Sequence, residues 1–338
     1  MKDVVLVTGG AGYIGSVLVR QLLEAGHEVR VLDNMRMGGE ALLPLIDDGA
    51  LSIVRGDVRH ESVVRQALEG VTAVVHLAAI VGDPACKREP ELAREVNLLA
   101  TQRLYELAEA AGVKRFVFAS TCSNYGKMPD PNLMMDEASE LRPVSLYAET
   151  KVAVERFLMA RGRSSDCLPT ALRFATVYGA SPRMRFDLTV NEFTRDLVTG
   201  HELVVFGEQF WRPYCHVTDL ARSALLVLAA APEKVALEVF NVGDDEENYR
   251  KQDVVNAILK QVPDGRVRYV QSVDDPRDYR VTFQKIHSQL GFTITKRLAD
   301  GIAEVKRAIQ LGLISDPYAQ RYANVPVKAP EPAGPATA

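Results

Sequence analysis

Cysteine is scarce in this 338-residue chain, and the four present (Cys86, Cys122, Cys167 and Cys215) lie far apart with no Cys-x-x-Cys pair. That spacing supports neither a disulfide framework nor a zinc site, so no metal is expected, and reduced thiols in a cytoplasmic protein are the plain reading. Positive charge is not in excess: the net charge is −4, which leaves no footprint for a nucleic-acid partner. No apolar run approaches the roughly eighteen residues that a membrane-spanning helix needs, so no membrane partner is expected. The N-terminal apolar run is short and turns at once into glycine-rich sequence, unlike a signal peptide. Internal repeats are absent. Low complexity is confined to the Pro/Ala-rich end at 327–338, which has no core residues to bury.

What is there is the composition of an ordinary globular protein, 47% apolar and 25% charged, at a length that suits one to two domains. In the first half, short β-branched runs at 4–7, 28–32, 51–54, 73–77 and 116–119 alternate with helical patterns at 14–25, 61–68 and 90–111. A helix at 145–160 and a strand at 169–174 follow. Such alternation, with continuously apolar strands, implies a doubly wound α/β fold of Rossmann type whose parallel sheet is covered on both faces. Beyond Tyr178 the pattern loosens. Helices are expected near 190–199, 217–228, 253–261, 282–290 and 297–309, strands near 203–206, 239–242 and 267–270, and a loop around Trp211. These shorter elements suggest a smaller mixed α/β C-terminal domain that forms a substrate pocket. The expected division is 1–175 for a cofactor domain with a return segment near 213–243, then 176–212 and 244–321 for the substrate domain, with 322–338 as a disordered tail.

The run Gly9-Gly-Ala-Gly12-Tyr13-Ile14-Gly15 follows a strand and opens a helix. In that context Gly9 permits a tight turn, Gly12 lets a pyrophosphate approach backbone N–H groups, and Gly15 allows close helix–sheet packing. Asp33, followed by Asn34, ends the second strand where an acid would receive an adenosine ribose. A carboxylate repels a 2′-phosphate, so NAD is favoured over NADP, with Arg36 as the counter-signal. Asp57 and Val58 suit the adenine edge, Ala78 and Ala79 after the fourth strand are small enough to let a cofactor pass, and Leu77 before them is expected to line the same site.

Tyr147 and Lys151 are four residues apart, hence on one helix face. An ammonium about 5 Å from a phenol at an effective dielectric near 20 is worth roughly 3 kcal/mol, about two pKa units toward phenolate. That expectation makes Tyr147 a base for an alcohol beside a nicotinamide. Several neighbours have plainer readings. His76 and His216 are expected to be packed and hydrogen-bonded, Cys122 to fill space, Lys87-Arg88-Glu89 to start a solvated helix, and Asp244–Glu247 to be an acidic loop. For Arg183, Arg185 and Trp211, ligand contact and plain packing or solvation stay open.

Taken together, these motifs resemble the extended short-chain dehydrogenase/reductase family of NAD-dependent sugar-nucleotide epimerases and dehydratases. The resemblance spans residues 1 to about 320 and rests on the glycine run, Asp33, Asp57, His76-Leu-Ala-Ala79, Asn97, Ser120-Thr-Cys-Ser-Asn-Tyr-Gly126, Tyr147-x-x-x-Lys151, Arg173-Phe-Ala-Thr-Val-Tyr-Gly179, Arg212-x-x-x-His216-x-x-Asp219 and Asn241-x-Gly243. It implies that Tyr147 takes the proton of a sugar hydroxyl, usually at C4, that Lys151 holds the nicotinamide ribose, and that Thr121 bridges Tyr147 to the substrate. Asn97 would support the cofactor from the helix beneath. Substrate contacts fall to Ser123, Thr176, Arg185, Asn191, Arg212 and Arg277, the last two on the diphosphate of a nucleotide sugar. The family's 4,6-dehydratases carry an Asp-Glu pair where Cys122 and Ser123 stand, and its UDP-glucuronate decarboxylases a Glu at Ser123, so both reactions are disfavoured. A nucleotide-sugar 4-epimerase is the favoured expectation. A net C4 dehydrogenase or 4-ketoreductase on nucleotide-linked sugars or heptoses stays open, as does a non-catalytic NAD-binding regulator. The resemblance also implies a homodimer through the helices at 90–111 and 145–160.

Overall fold

The structure is a computed structural model that describes residues 3–128, 130, 133–271 and 277–325. Twelve strands run through the described residues in the order β1 (Val4–Thr8), β2 (Glu28–Asp33), β3 (Leu51–Arg55), β4 (Ala73–His76), β5 (Arg115–Thr121), β6 (Leu168–Phe174), β7 (Thr176–Tyr178), β8 (Leu203–Phe206), β9 (Trp211–His216), β10 (Glu238–Val242), β11 (Asn248–Arg250) and β12 (Val267–Val270). Seven form one sheet in the order β10-β6-β5-β4-β1-β2-β3, with every pairing parallel. The order reverses at β1, which lies between β2 and β4. A crevice is expected at the carboxyl ends of strands at such a point.

The continuous apolar runs have a direct cause. Val5, Val7, Val75 and Val117 pack into the core on one face of the sheet. Leu6, Val74, Phe116 and Phe118 pack into the other. Side chains alternate across a strand, so a strand covered on both sides needs apolar residues at every position. The remaining strands form two small sheets, β11-β9-β7 and β12-β8.

The three-stranded sheet replaces the loop expected around Trp211. Pro213 reads as a strand breaker, because it cannot donate to a ladder. Here β9 pairs with β11 through Trp211, Arg212 and Pro213, and with β7 through Tyr214, Cys215 and His216. Pro213 therefore has a neighbouring strand on one side alone. The single helix expected at 90–111 also differs. It is interrupted by a π turn at Glu95–Ala100 between Pro90–Arg94 and Thr101–Ala110.

Tyr322 and Asn324, within the expected tail, are hydrogen-bonded to earlier parts of the chain. Phe186 N donates to Tyr322 O at 2.7 Å, and Asn324 N donates to Asp187 Oδ2 at 2.9 Å. Residues 326–338 lie outside the described residues.

His216 takes the packed role its sequence context suggests. It caps the helix Val217–Ala229 by accepting from Thr218 N, and its Nε2 meets Glu304 Oε2 at 2.9 Å. Burial would raise the Glu304 carboxyl, but hydrogen bonds from His216 and Lys296 outweigh it and hold the group at about 2, against an ordinary 4.5. A carboxyl depressed in the folded state stabilises above its unfolded value and loses that contribution as pH falls toward the folded one. Glu304→Gln should therefore flatten the acid limb of stability between about pH 4.5 and 2, measured by denaturant unfolding at several pH values.

Candidate active site

A cleft of about 1520 Å³ opens at the carboxyl ends of β1, β2, β4, β5 and β6. At one end lies the glycine run. A Cβ at Gly15 would fall 2.1 Å from Gly9 O, so the helix sits against the turn as closely as backbone allows. At Gly12 the sole near atom is Gly9 O at 3.1 Å, which leaves its outer side open to a ligand. No side chain caps the helix Gly15–Glu24, and although Ser16 N donates to Gly12 O at 2.9 Å, the positive end of the helix lies at the open glycine turn, where an anion is favoured. Gly15→Ala should weaken NAD binding about tenfold or more, the scale of an overpacked contact, as read by fluorescence titration.

Asp33, Asn34, Asp57 and Val58 line the same end. Asp33 accepts from Ala11 N at 3.0 Å and Met35 N at 2.8 Å, while burial pushes its carboxyl up. Asn34 donates to Asp57 at 3.2 Å. Burial would raise Asp57 too, but hydrogen bonds led by Arg59 bring it to about 2. Arg36 is drawn to Glu89 at 2.7 Å. Arg183 also lines the cleft, with one donor on Asn324 and a buried Nε that makes no hydrogen bond. An open glycine turn, acids for a ribose and a guanidinium with a spare donor fit a dinucleotide.

Tyr13, Ile14, Leu77, Ala78 and Ala79 lie in the cleft lining, and Asn97 does not. Asn97 sits on the π turn and acts from behind the wall, accepting from Ile80 N at 2.8 Å and donating to Ile80 O at 2.9 Å. His76 is satisfied on both ring nitrogens by Thr8 and Thr101, and burial lowers it to about 3, so it stays neutral.

The residues expected to transfer the proton meet in the middle. Thr121 ends β5, and Tyr147 and Lys151 project from the helix Leu146–Arg161, which Ser145 caps. All three line the cleft. Lys151 Nζ donates to Ala119 O at 2.7 Å and lies 4.6 Å from the Phe118 ring centre and 5.8 Å from that of Tyr147. The pKa expectation is corrected here. Burial holds Lys151 down at about 8. Burial likewise pushes the Tyr147 phenol well above its ordinary value, with Cys86 adding to the push, Arg185 pulling it down and Asp83 raising it further. Helix spacing brings the ammonium to the Tyr147 ring, and burial is the leading influence on the phenol.

Beneath this group lies a buried polar network that the sequence reading missed. Arg173 and Glu155 pair at 2.8 Å with side chains 5% and 4% exposed. Glu155 also accepts from Ser120 and Asn124, which flank Thr121 and Cys122. Arg173 donates to Tyr125, which donates to Asn241. The available signal was spacing: Glu155 is one further turn along from Lys151. Cys122 packs away from the cleft with its thiol against Arg173 O.

At the far end Ser123, Thr176, Arg185, Arg212 and Arg277 line the cleft. Ser123 Oγ accepts from Tyr279 at 3.4 Å, and Arg212 stacks 5.4 Å from the Tyr279 ring centre. Arg185 is forked onto Asp187 at 2.9 Å. Asn191 is corrected as a substrate contact. It is fully buried, outside the lining, and spends its amide on Gly179, Tyr13 and Arg185. Trp211 also lies outside the lining, where Arg250 and Arg280 stack on it at 5.4 and 5.2 Å.

The chain is similar to known proteins over most of its length. The model of the NAD dependent epimerase/dehydratase family matches residues 5–243. The UDP-glucose 4-epimerase of Streptomyces lividans is 30% identical over 77% of this chain and 81% of its own length. The dTDP-glucose 4,6-dehydratase of Streptomyces niveus is 32% identical over 89% and 90%. Among solved structures, the UDP-glucose 4-epimerase of Thermus thermophilus in complex with NAD superposes with a TM-score of 0.78 at 28% identity, over 91% of this chain and 99% of its own.

Proposed function

The chain belongs to the NAD-dependent epimerase/dehydratase family, and on that premise we propose that it is a nucleotide-sugar 4-epimerase working through transient oxidation of C4. The observation that carries the reading is the meeting of Thr121, Tyr147 and Lys151 in a cleft whose dehydratase positions hold no acid. Cys122 is buried with a thiol pushed up by burial, and Ser123 is a hydroxyl turned to Tyr279. Neither can protonate a leaving C6 hydroxyl, as the first step of a 4,6-dehydration requires.

In this reading Gly9, Gly12 and Gly15 seat the NAD pyrophosphate, Asp33 takes the adenosine ribose, and Lys151 takes the nicotinamide ribose. NAD held by these residues would supply the acceptor and donor of the C4 hydride and the positive charge of its oxidised form. Tyr147 takes the C4 hydroxyl proton, and Thr121 bridges the two oxygens. The same proton returns after the sugar ketone has turned over in the cleft. Arg212 and Arg277 take the diphosphate. A homodimer through the helices at 90–110 and Leu146–Arg161 is part of the same proposal, and Leu99, 58% exposed on the first of them, suits it.

The test is a panel of UDP-, dTDP- and GDP-sugars with product analysis and the NADH absorbance band followed together. Formation of the C4 epimer with no net NADH is expected. Stoichiometric NADH would favour a net dehydrogenase and overturn the epimerase reading.

A further inference from the structure

Asp83 lines the cleft with the cofactor-seat and proton-transfer residues but holds none of the roles assigned to them. It follows Gly82 and opens the short helix Asp83–Arg88. Its two carboxylate oxygens are taken from two directions. Oδ1 accepts from the Ser145 hydroxyl at 2.6 Å. Ser145 in turn caps the helix that carries Tyr147, accepting from Ala148 N at 3.3 Å. Oδ2 pairs with Nη1 of Arg277 at 2.9 Å. Asp83, Tyr147 and Arg277 line one cleft.

We infer that Asp83 is a positioning residue that holds Arg277 in place of the substrate diphosphate, and that substrate binding transfers Arg277 from this carboxylate to phosphate. The inference rests on the nucleotide-sugar reading and adds how the substrate end is kept before binding. A carboxylate and a phosphate offer a guanidinium the same two-oxygen acceptor, so they compete for it. The pair has side chains 38% and 27% exposed, which makes it weak enough to exchange. Asp83 then opposes binding in two ways, by competing for Arg277 and by repelling the incoming phosphates. The Ser145 contact keeps the carboxylate oriented toward the cleft after the exchange.

The sign of the effect separates this role from a merely structural one. Damage to a supporting residue weakens binding, whereas removing a competitor strengthens it. With NAD present, UDP, dTDP and GDP are titrated by calorimetry against the parent protein, Asp83→Asn, Arg277→Gln and the double variant, with Asp83→Ser in reserve should the Asn variant not fold. Asp83→Asn should bind the preferred diphosphate roughly three- to tenfold more tightly. In the Arg277→Gln background most of that gain should vanish. Equal or weaker binding by Asp83→Asn, or the same gain without Arg277, would overturn the inference and leave the nucleotide-sugar reading standing. If the parent protein binds none of the three diphosphates, both fall together.

Discussion

Tyr147→Phe should bind NAD as the parent protein does and lose turnover by about 10²- to 10⁴-fold, the range of a positioned acid–base group. The substitution removes one oxygen and leaves the ring beside Lys151. Thr121 and Lys151 cannot replace the lost group. The Thr121 hydroxyl is already an acceptor for Ser123 N, and Lys151 donates to Ala119 O. Burial pushes the phenol up, so positive charge bound beside it is expected to favour its ionisation. Initial rates with a responsive nucleotide sugar, beside an NAD titration, read both halves. Near-parental turnover would remove Tyr147 from the mechanism.

Glu155→Ala should cost about 3–5 kcal/mol of folding stability, the scale seen when one partner of a buried ion pair is removed. Arg173 would be left buried without its ion-pair partner, keeping hydrogen bonds to the Tyr125 hydroxyl and to Glu137 O. The loss reaches the site as well, because Ser120 and Asn124 hold the chain on either side of Thr121 through the same carboxylate. Denaturant unfolding reads the energy. A loss below about 1 kcal/mol would mean that the pair contributes no more than a surface contact. Glu155→Leu with Arg173→Met together should recover much of the stability, as apolar replacements of buried ion pairs often do.

The parts of this molecule that could be read from sequence are those where one requirement dominates the residue choice. A strand covered on both faces must be apolar throughout, so β1, β4 and β5 stood out. The glycine turn and the Tyr147–Lys151 spacing were legible for the same reason. The small three-stranded sheet was not, because its strands are short and Pro213 is tolerated by one-sided pairing that no local pattern announces. Asn97 and Asn191 matched motif positions but work from behind the wall, where a buried amide serves backbone groups rather than a ligand. Asp83 and Glu155 carried weak signals or none, since their roles depend on partners 62 and 18 residues distant. Charge spacing is written in the sequence, but the burial that pushes the Tyr147 phenol up is a property of the folded cleft.

The most direct test follows deuterium placed at C4 of the nucleotide sugars that the protein accepts. A hydride removed from C4 and returned to the other face of the same carbon leaves the label at C4 of the epimer, with no deuterium accumulating in free NADH. Label found at C6 would indicate dehydration, and label released in stoichiometric NADH would indicate net oxidation. Either result would contradict reversible C4 oxidation as the chemistry of this site.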